Sequence, residues 1–347
     1  MSGDGTGPQG DPYAAGAATA RAGLVRLITR GGGLTDPRWR AAFAEVPRHL
    51  FVPVYYVGVV GGYERRVADH PDPERREEWL RGAYADSALA THVRDGEPVS
   101  SSSQPSLMAT MLDELRVEDG HEVLEVGAGT GYNAALLSHR LGDARVTTVD
   151  LDEDITGPAR EHLAAAGYRP RVITGDGARG CPERAPFDRI MATCRLPSVP
   201  PAWVAQCRTG GLILTPLATG LVLLRVTGPE HAEGRFLSTP AYFLRLRGAV
   251  EGSADRRRGA RADDGHDRAQ AATAALPTEA LRDERFHFLR TLSAGTLDPE
   301  AAYELWRAAH RPHRERFGVT VTVAGDRQWA WLDAPDGPHR WPLPGPG

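Results

Sequence analysis

One stretch constrains this chain more than any other. Val123-Leu-Glu-Val126 runs directly into Gly127-Ala-Gly-Thr-Gly131, and residues from Asn133 to Leu141 follow at helical spacing. Four apolar-rich residues ending in alternate glycines predict a strand, a tight turn and a helix. Glycine enters positive φ without a Cβ penalty and lets backbone come close to a ligand. The alternation continues downstream. Strands are predicted at Arg145–Asp150, Arg171–Thr174, Phe187–Ala192, Gly211–Thr215, Leu221–Val226 and Ala241–Leu246, and helices at Pro158–Ala166 and Pro201–Cys207. Short strands separated by helices imply parallel crossovers, hence an α/β fold with a doubly wound, mostly parallel sheet.

The flanks read differently. Residues 1–16 are Gly, Pro, Asp and small side chains and are expected to be disordered. Residues 17–98 read as an N-terminal helical or irregular cap. Within it lie a helix over Thr19–Ile28 stopped by Gly31-Gly-Gly33, and a second opened by Asp36 as N-cap with Pro37 at N1. An irregular stretch from Leu50 to about Asp95 contains one solvated helix at Pro71–Arg81. The core spans 99–248. Residues 249–275, with Arg256-Arg-Arg258, Asp263-Asp264 and almost no large apolar side chain, read as a linker. Residues 276–347 read as a small C-terminal α+β extension. Its helices fall at Thr278–Leu292 and after Asp298-Pro299, and its meander carries Trp329, Trp331 and Trp341.

Composition narrows the function classes. The 347 residues carry 41 basic and 45 acidic side chains, a formal charge of −4, and every fixed cation is Arg. No global field draws such a chain onto a polyanion, so nucleic acid is not an expected partner. No apolar run has transmembrane length, so neither is a membrane. Cys181, Cys194 and Cys207 form an odd, widely spaced set without C-x-x-C pairs, which argues against a disulfide scaffold or zinc knuckle and for a reducing cytoplasm.

The glycine loop alone is a weak signal, and a plain α/β turn explains it as well. Its context is stronger. Asp150 ends the second strand about twenty residues on, placed for a ribose diol, and Gly175-Asp-Gly177 ends the third, where an amide and a carboxylate suit an adenine amino group. No Gly-Lys-Ser/Thr follows, and the spacing falls short of the dinucleotide G-x-G-x-x-G. An adenosine ligand without pyrophosphate fits better, which points to S-adenosyl-L-methionine.

At these residues the sequence resembles a class I methyltransferase, through Val123–Gly131, Gly175–Gly177 and Ala185-Pro-Phe-Asp-Arg-Ile190. Three further stretches resemble the protein-L-isoaspartate O-methyltransferase family: Val46-Pro-Arg-His-Leu-Phe-Val-Pro53, Ala83-Tyr-Ala-Asp-Ser-Ala-Leu89 and Ser101-Ser-Ser-Gln-Pro105. The resemblance covers about residues 36–248. A narrower one, to the branch that matures ATP-grasp-modified ribosomal peptides (graspetides), rests on Ser101–Met108, on Ala192-Thr-Cys-Arg-Leu-Pro-Ser-Val-Pro-Pro-Ala-Trp203 and on the added C-terminal region. That branch implies methylation of an aspartate side chain in a macrocyclised precursor, followed by closure to an aspartimide. The serine loop departs from the Thr-Ile-Ser-Gln-Pro form of the repair enzymes, and Met108 stands near the position of a histidine found in many of them.

The residues and the resemblance together give a candidate site. Ser102, Ser103, Glu125, Gly127, Gly129, Gly131, Asp150, Leu151, Asp176 and Gly177 are expected at S-adenosyl-L-methionine or its product S-adenosyl-L-homocysteine. Ser101, Ser102 and Gln104 are expected at the substrate, with the resemblance implying Ser103 as the catalytic-site serine; no metal is implied. The nucleophile belongs to the substrate: a carboxylate with a pKa of about 3.9 is already ionised at pH 7, so no general base is needed. The chain has to aim that oxygen at the sulfonium methyl and strip its water. The leading expectation is a carboxyl methyltransferase acting on Asp of a modified precursor peptide. General isoaspartyl repair is the alternative, and a non-catalytic peptide-binding protein the remote one. Plainer roles stand beside several candidates. The serine run serves as a cap for a helix at Leu107–Leu115 through Ser103 or Ser106. His49 is a hydrogen-bonded structural histidine, and His310 and His313 with Arg311 and Arg314 are an exposed helix end. The three tryptophans form a small core, and Cys194 is an unactivated thiol.

Overall fold

The computed structural model describes residues 11–246, 276–325 and 327–344. The chain divides into two compact units: Met1–Asp113, Gly129–Asp143 and Gly157–Arg169 form one, and Glu114–Ala128, Ala144–Thr156 and Pro170–Gly347 the other. The linker expected at 249–275 and the first ten residues of the expected disordered start lie outside the described residues.

The first unit opens with α1 (Ala14–Arg30) and α2 (Pro37–Glu45). Asp36 accepts from the Arg38 amide and Pro37 opens α2, as the sequence predicts, a cap worth about 1 kcal/mol. The stretch read as irregular holds a four-stranded antiparallel sheet: β1 (Val54–Val59), β2 (Gly62–Val67), β3 (Leu89–Arg94) and β4 (Glu97–Ser102), in the order β2-β1-β3-β4. Its strands carry Gly, Ser, Thr and charged residues in place of a clean apolar alternation, so the period-2 signal is weak. α3 (Pro73–Ala83) matches the expected charged helix but buries Trp79 and Ala83 on one side. α4 (Pro105–Leu115) and α5 (Tyr132–Leu141) follow. Residues 11–16 are ordered, contrary to expectation: Asp11 pairs with His49, and Tyr13 packs edge-on against Trp79 at 5.0 Å.

The second unit is one ten-stranded sheet. Its strands are β5 (Val123–Val126), β6 (Val146–Asp150), β7 (Arg171–Thr174), β8 (Phe187–Ala192), β9 (Cys207–Leu217), β10 (Gly220–Gly228), β11 (His231–Pro240), β12 (Phe317–Thr322), β13 (Arg327–Leu332) and β14 (Arg340–Pro342), in the order β14-β13-β12-β11-β10-β9-β8-β5-β6-β7. β5 through β9 pair in parallel, and every pairing beyond β9 is antiparallel. The chain leaves β5 for β6 and β7 on one side and returns to β8 and β9 on the other. That reversal defines the switch point of an open α/β sheet.

Between β6 and β7 runs α6 (Glu153–Ala165), which begins before the expected Pro158 because the Asp152 carbonyl already accepts from the amides of Ile155 and Thr156. α7 (Pro201–Gln206) precedes β9. The expected strand at Ala241–Leu246 is only a bridge between Arg245 and Arg195, and the strand beside β10 is β11, whose mixed Gly, Arg and Ser composition hides it. The C-terminal meander does not form a core of its own. β12 pairs with β11 and extends the main sheet, while α8 (Thr278–Arg282), α9 (Glu284–Leu292) and α10 (Pro299–Ala308) place Phe286, Phe288 and Trp306 in the same apolar core as Trp203 and Phe236. The expected single helix at 278–292 is two, because Asp283 is extended and caps α9 through the Arg285 amide. Among the described residues no helix is long and apolar enough to cross a membrane.

Two buried histidines of the first unit make stability depend on pH. Burial disfavours the imidazolium of His49, more than its hydrogen bond to Asp11 favours it, and burial likewise lowers His162, whose Nδ1 meets the Thr130 carbonyl. Both therefore titrate below the unfolded value of about 6.5. The stability they carry is fully present above that value and falls away as pH drops through the folded-state pKa. Thermal denaturation at pH 7.5 and 5.5 should show a drop in midpoint that is smaller in His49→Gln. An equal drop in the variant would contradict the assignment.

Candidate functional site

In the second unit three carboxylates occupy the carboxyl ends of three neighbouring parallel strands. Glu125 is fully buried near the end of β5, and its Oε2 accepts from the Thr148 hydroxyl at 2.7 Å across the β5–β6 register. Asp150 is the last residue of β6; it is half-buried and accepts from the Leu151 amide at 2.8 Å. Asp176 follows β7 and caps a short 3-10 turn, Gly177–Arg179, through the Ala178 amide at 3.0 Å. The Gly177 carbonyl accepts from the Trp203 indole at 2.9 Å, and a Cβ on Gly177 would stand 2.5 Å from Val126 Cγ1. An acceptor set of this kind suits the hydroxyls and amino group of a nucleoside and the positive charge of a sulfonium. The residues present therefore fit an adenosyl sulfonium.

The glycine loop has the expected torsions, with φ of +100°, +52° and +87° at Gly127, Gly129 and Gly131. The close approaches they permit are to protein atoms. A Cβ on Gly127 would lie 2.6 Å from Thr193 Oγ1, whose hydroxyl donates to the Gly127 carbonyl at 2.7 Å. In the first unit a Cβ on Gly129 would meet the Ser101 carbonyl at 3.1 Å, and one on Gly131 the Ala159 carbonyl and Leu163, also at 3.1 Å. Val149 O accepts from the amides of Gly127 and Ala128, anchoring the loop's entry to β6.

The serine loop belongs to the first unit. Ser102 is buried, and its hydroxyl accepts from the Arg48 guanidinium at 3.4 Å. Ser101 and Ser103 are half-buried, and neither hydroxyl has a hydrogen-bond partner among the described residues. The helix cap expected of Ser103 or Ser106 comes from elsewhere: Asp86 Oδ1 accepts from the Ser106 amide at 2.8 Å. Gln104 joins this cap, its Nε2 donating to Asp86 Oδ2 at 3.2 Å and to Ser106 Oγ at 3.0 Å. Arg48, Asp86, Thr193 and Trp203 were not singled out by sequence reasoning. Arg48 and Asp86 lie inside stretches that carry the family resemblance, and an arginine flanked by Pro, His, Leu and Phe is the signal that could have marked the first.

The remaining candidates are structural. His49 bonds Tyr84 through Nδ1 at 2.8 Å and Asp11 through Nε2 at 2.9 Å. Arg311 pairs with Glu279, Arg314 with Glu284, and His310 and His313 are exposed beside them. Trp331 and Trp341 are buried, and Trp329 is half-buried with its indole on the Pro335 carbonyl. Burial pushes the Cys194 thiol well above its ordinary value and that of Cys207 up to about 12, so neither is a ready thiolate. Among the described residues no group of three His, Cys, Asp or Glu is placed to hold a metal. A cavity of about 400 Å³ opens at the amino ends of β5 and β8, lined in part by Arg116, Asp188, Arg189 and Arg208. Its arginines act as ties, Arg189 to the carbonyls of Leu115 and Arg116 and Arg208 to Asp188. Gly127→Ala should cost roughly 1–3 kcal/mol from the left-handed φ alone, read as a lower denaturation midpoint; an unchanged midpoint would contradict the loop geometry.

A family model described as Protein-L-isoaspartate(D-aspartate) O-methyltransferase (PCMT) matches residues 20–227. Protein-L-isoaspartate O-methyltransferase 1 of Anaeromyxobacter sp. is 37% identical over 224 residues, 62% of this chain and 91% of its own length. The Methylorubrum populi enzyme is 35% identical over 236 residues, 67% of this chain and 96% of its own. A solved protein-L-isoaspartate O-methyltransferase shares the fold at a TM-score of 0.59 with 22% identity, covering 87% of this chain and 96% of that one. That coverage reaches well beyond the 20–227 span. A Plasmodium falciparum PCMT structure in complex with S-adenosyl-L-homocysteine covers 66% of this chain and 98% of its own at a TM-score of 0.50 and 14% identity. The reading as a non-catalytic binding protein falls with the family match. The chain belongs to the protein-L-isoaspartate(D-aspartate) O-methyltransferase family and is a carboxyl O-methyltransferase dependent on S-adenosyl-L-methionine.

Proposed function

We propose that this chain methyl-esterifies the free α-carboxylate that an isoaspartyl linkage leaves on a protein or peptide. The observation that carries the reading is that two relatives bearing this activity in their names, at 37% and 35% identity, align over 91% and 96% of their own length. Glu125, Gly127, Asp150, Leu151, Asp176 and Gly177 hold the adenosyl group in this reading, with Gly129 and Gly131 shaping the same loop. When bound, S-adenosyl-L-methionine supplies an electrophilic methyl. Asp150 accepts from the ribose hydroxyls and Asp176 from the adenine amino group, and the Glu125 carboxyl, tied to the Thr148 hydroxyl, supports the strand end that enters the loop. The substrate carboxylate is ionised at neutral pH, with an α-carboxyl pKa of about 3.5. No protein group has to take its proton. Ser103 donates to one carboxylate oxygen and leaves the other to attack, and Ser101 and the Gln104 carbonyl line the approach.

The ester made this way is more electrophilic than the carboxylate. The following backbone nitrogen attacks its carbonyl, methanol leaves, and a succinimide closes within the substrate. Hydrolysis of the imide returns part of the chain to a normal aspartyl linkage.

A second reading, esterification of an aspartyl side chain in a macrocyclised ribosomal peptide on the way to an aspartimide, is favoured by the serine loop itself. It offers two hydroxyls, Ser101 and Ser103, without a hydrogen-bond partner among the described residues, on a run of four serines. Three peptides separate the readings when turnover is followed by mass: an isoaspartyl peptide, its aspartyl isomer and a macrocycle with Asp in its ring. Gain of a methyl group on the isoaspartyl peptide is expected. Reaction of the macrocycle alone would overturn the repair reading in favour of the second.

Two substitutions test the residue roles. Asp150→Ala should weaken S-adenosyl-L-homocysteine binding about 10- to 100-fold by calorimetry, the worth of hydrogen bonds to a charged acceptor. Unchanged affinity would remove Asp150 from the site. Ser103→Ala should lower kcat by about tenfold or more on the turned-over peptide while leaving that affinity alone, and wild-type kcat would remove Ser103.

A further inference from the structure

Arg48 is fully buried, yet among the described residues no carboxylate stands within ion-pair distance of it. Its guanidinium is shared among neutral acceptors on two segments. Nη1 donates to the carbonyls of Ala83 at 2.8 Å and Ala85 at 3.0 Å. Nη2 lies within reach of the Ser87 carbonyl at 3.3 Å, the Ser102 hydroxyl at 3.4 Å and the Ser103 carbonyl at 3.2 Å. The same guanidinium sits over the ring of Tyr132, the first residue of α5, at 5.8 Å. Nε has no partner among the described residues. A charge buried in this way is costly, and core packing alone is better served by an apolar side chain.

The acceptors explain what the charge does. Nη1 holds the Ala83–Ser87 segment, which contains Asp86, and Nη2 ties that segment at Ser87 to the hydroxyl of Ser102 and the main chain at Ser103. Asp86 in turn grips Gln104 and the Ser106 amide. The loop from Ser102 to Ser106 is thus fixed from one end by Arg48 and from the other by Asp86, and among the described residues the Ser103 hydroxyl has no hydrogen-bond partner. Along β4 burial alternates, with Ser100 and Ser102 buried and Ser101 half-buried between them, as an extended chain requires.

We propose that Arg48 is a positioning residue for methyl transfer: by holding Ser102 and the Ser103 carbonyl it presents the Ser103 hydroxyl, and places a buried positive charge behind it, for the incoming substrate carboxylate. The proposal rests on the reading of Ser103 as the carboxylate contact. Lysine at position 48 keeps the charge, but one ammonium with three protons cannot hold the five acceptors that Nη1 and Nη2 share, whereas glutamine keeps neither charge nor fork.

The test compares wild type, Arg48→Lys and Arg48→Gln in the full chain, each checked by circular dichroism and thermal denaturation. Wild-type turnover of an isoaspartyl peptide tests the repair reading by itself; should only another of the three peptides react, that peptide is used for the comparison. In Arg48→Lys, kcat should fall about 10- to 100-fold, the usual effect of a slackened reactive geometry, with peptide KM and S-adenosyl-L-homocysteine affinity within about twofold of wild type. Arg48→Gln should lose the same kcat and raise peptide KM as well, because the charge is gone. A folded Arg48→Lys with wild-type kcat overturns the proposal. So does a loss that appears equally in cofactor affinity, which is what general loosening of the unit would produce. If neither Arg48 variant folds, Ser102→Ala decides: it removes one acceptor of the fork, and a threefold or greater fall in kcat is expected against no change if Arg48 serves only the fold.

Discussion

Everything placed at the candidate site depends on the parallel pairing of β5, β6 and β7. Parallel strands put all their carboxyl ends at one edge of a sheet. Glu125, Asp150 and Asp176 share that edge for this reason, although they are spread over fifty residues of sequence. The reversal of strand order at β5 leaves that edge uncovered by a direct connection, and the chain turns there through glycines held at positive φ. Had β6 been antiparallel to β5, Asp150 would stand at the opposite end and no nucleoside could be held along the row. The antiparallel extension from β10 to β14 contributes differently: it continues the sheet and shares its apolar core.

The chemistry asked of the chain is correspondingly modest. A carboxylate is its own nucleophile at neutral pH, so the site needs no proton acceptor. The buried thiols are held protonated, and His49 and His162 are depressed by burial and engaged with Tyr84, Asp11 and Thr130. What the site must supply is aim and the removal of water, and both are properties of rigid, well-anchored loops. The glycine loop is anchored by Val149 and Thr193, the serine loop by Arg48 and Asp86.

The sequence made the parallel half of the sheet legible because its strands are short apolar runs punctuated by glycine and proline. Val123–Val126, Val146–Asp150 and Phe187–Ala192 fall within a residue of their expected bounds. The caps at Asp36 and Asp298 were legible for the same local reason. The N-terminal sheet and β11 were not, since a partly exposed strand with Gly, Ser and Arg at successive positions carries no period. The C-terminal meander was seen as strands, but its place at the end of the main sheet is a long-range pairing of β12 with β11 across more than seventy residues, about which local pattern says nothing. At the candidate site the acids and glycines showed through their spacing. The supporting residues did not: a buried arginine held by carbonyls has no signature beyond its apolar neighbours, and the cap of α4 comes from Asp86, twenty residues away.

The central claim is that the row of acids at the carboxyl edge holds the adenosyl group. Its most direct test is a crystal structure of the full chain grown with S-adenosyl-L-homocysteine. The expected result is nucleoside density along the ends of β5, β6 and β7, with ribose oxygens within hydrogen-bond distance of Asp150 and the adenine amino group beside Asp176. Density at any other place, or an edge closed by packed side chains at saturating ligand, would contradict the account.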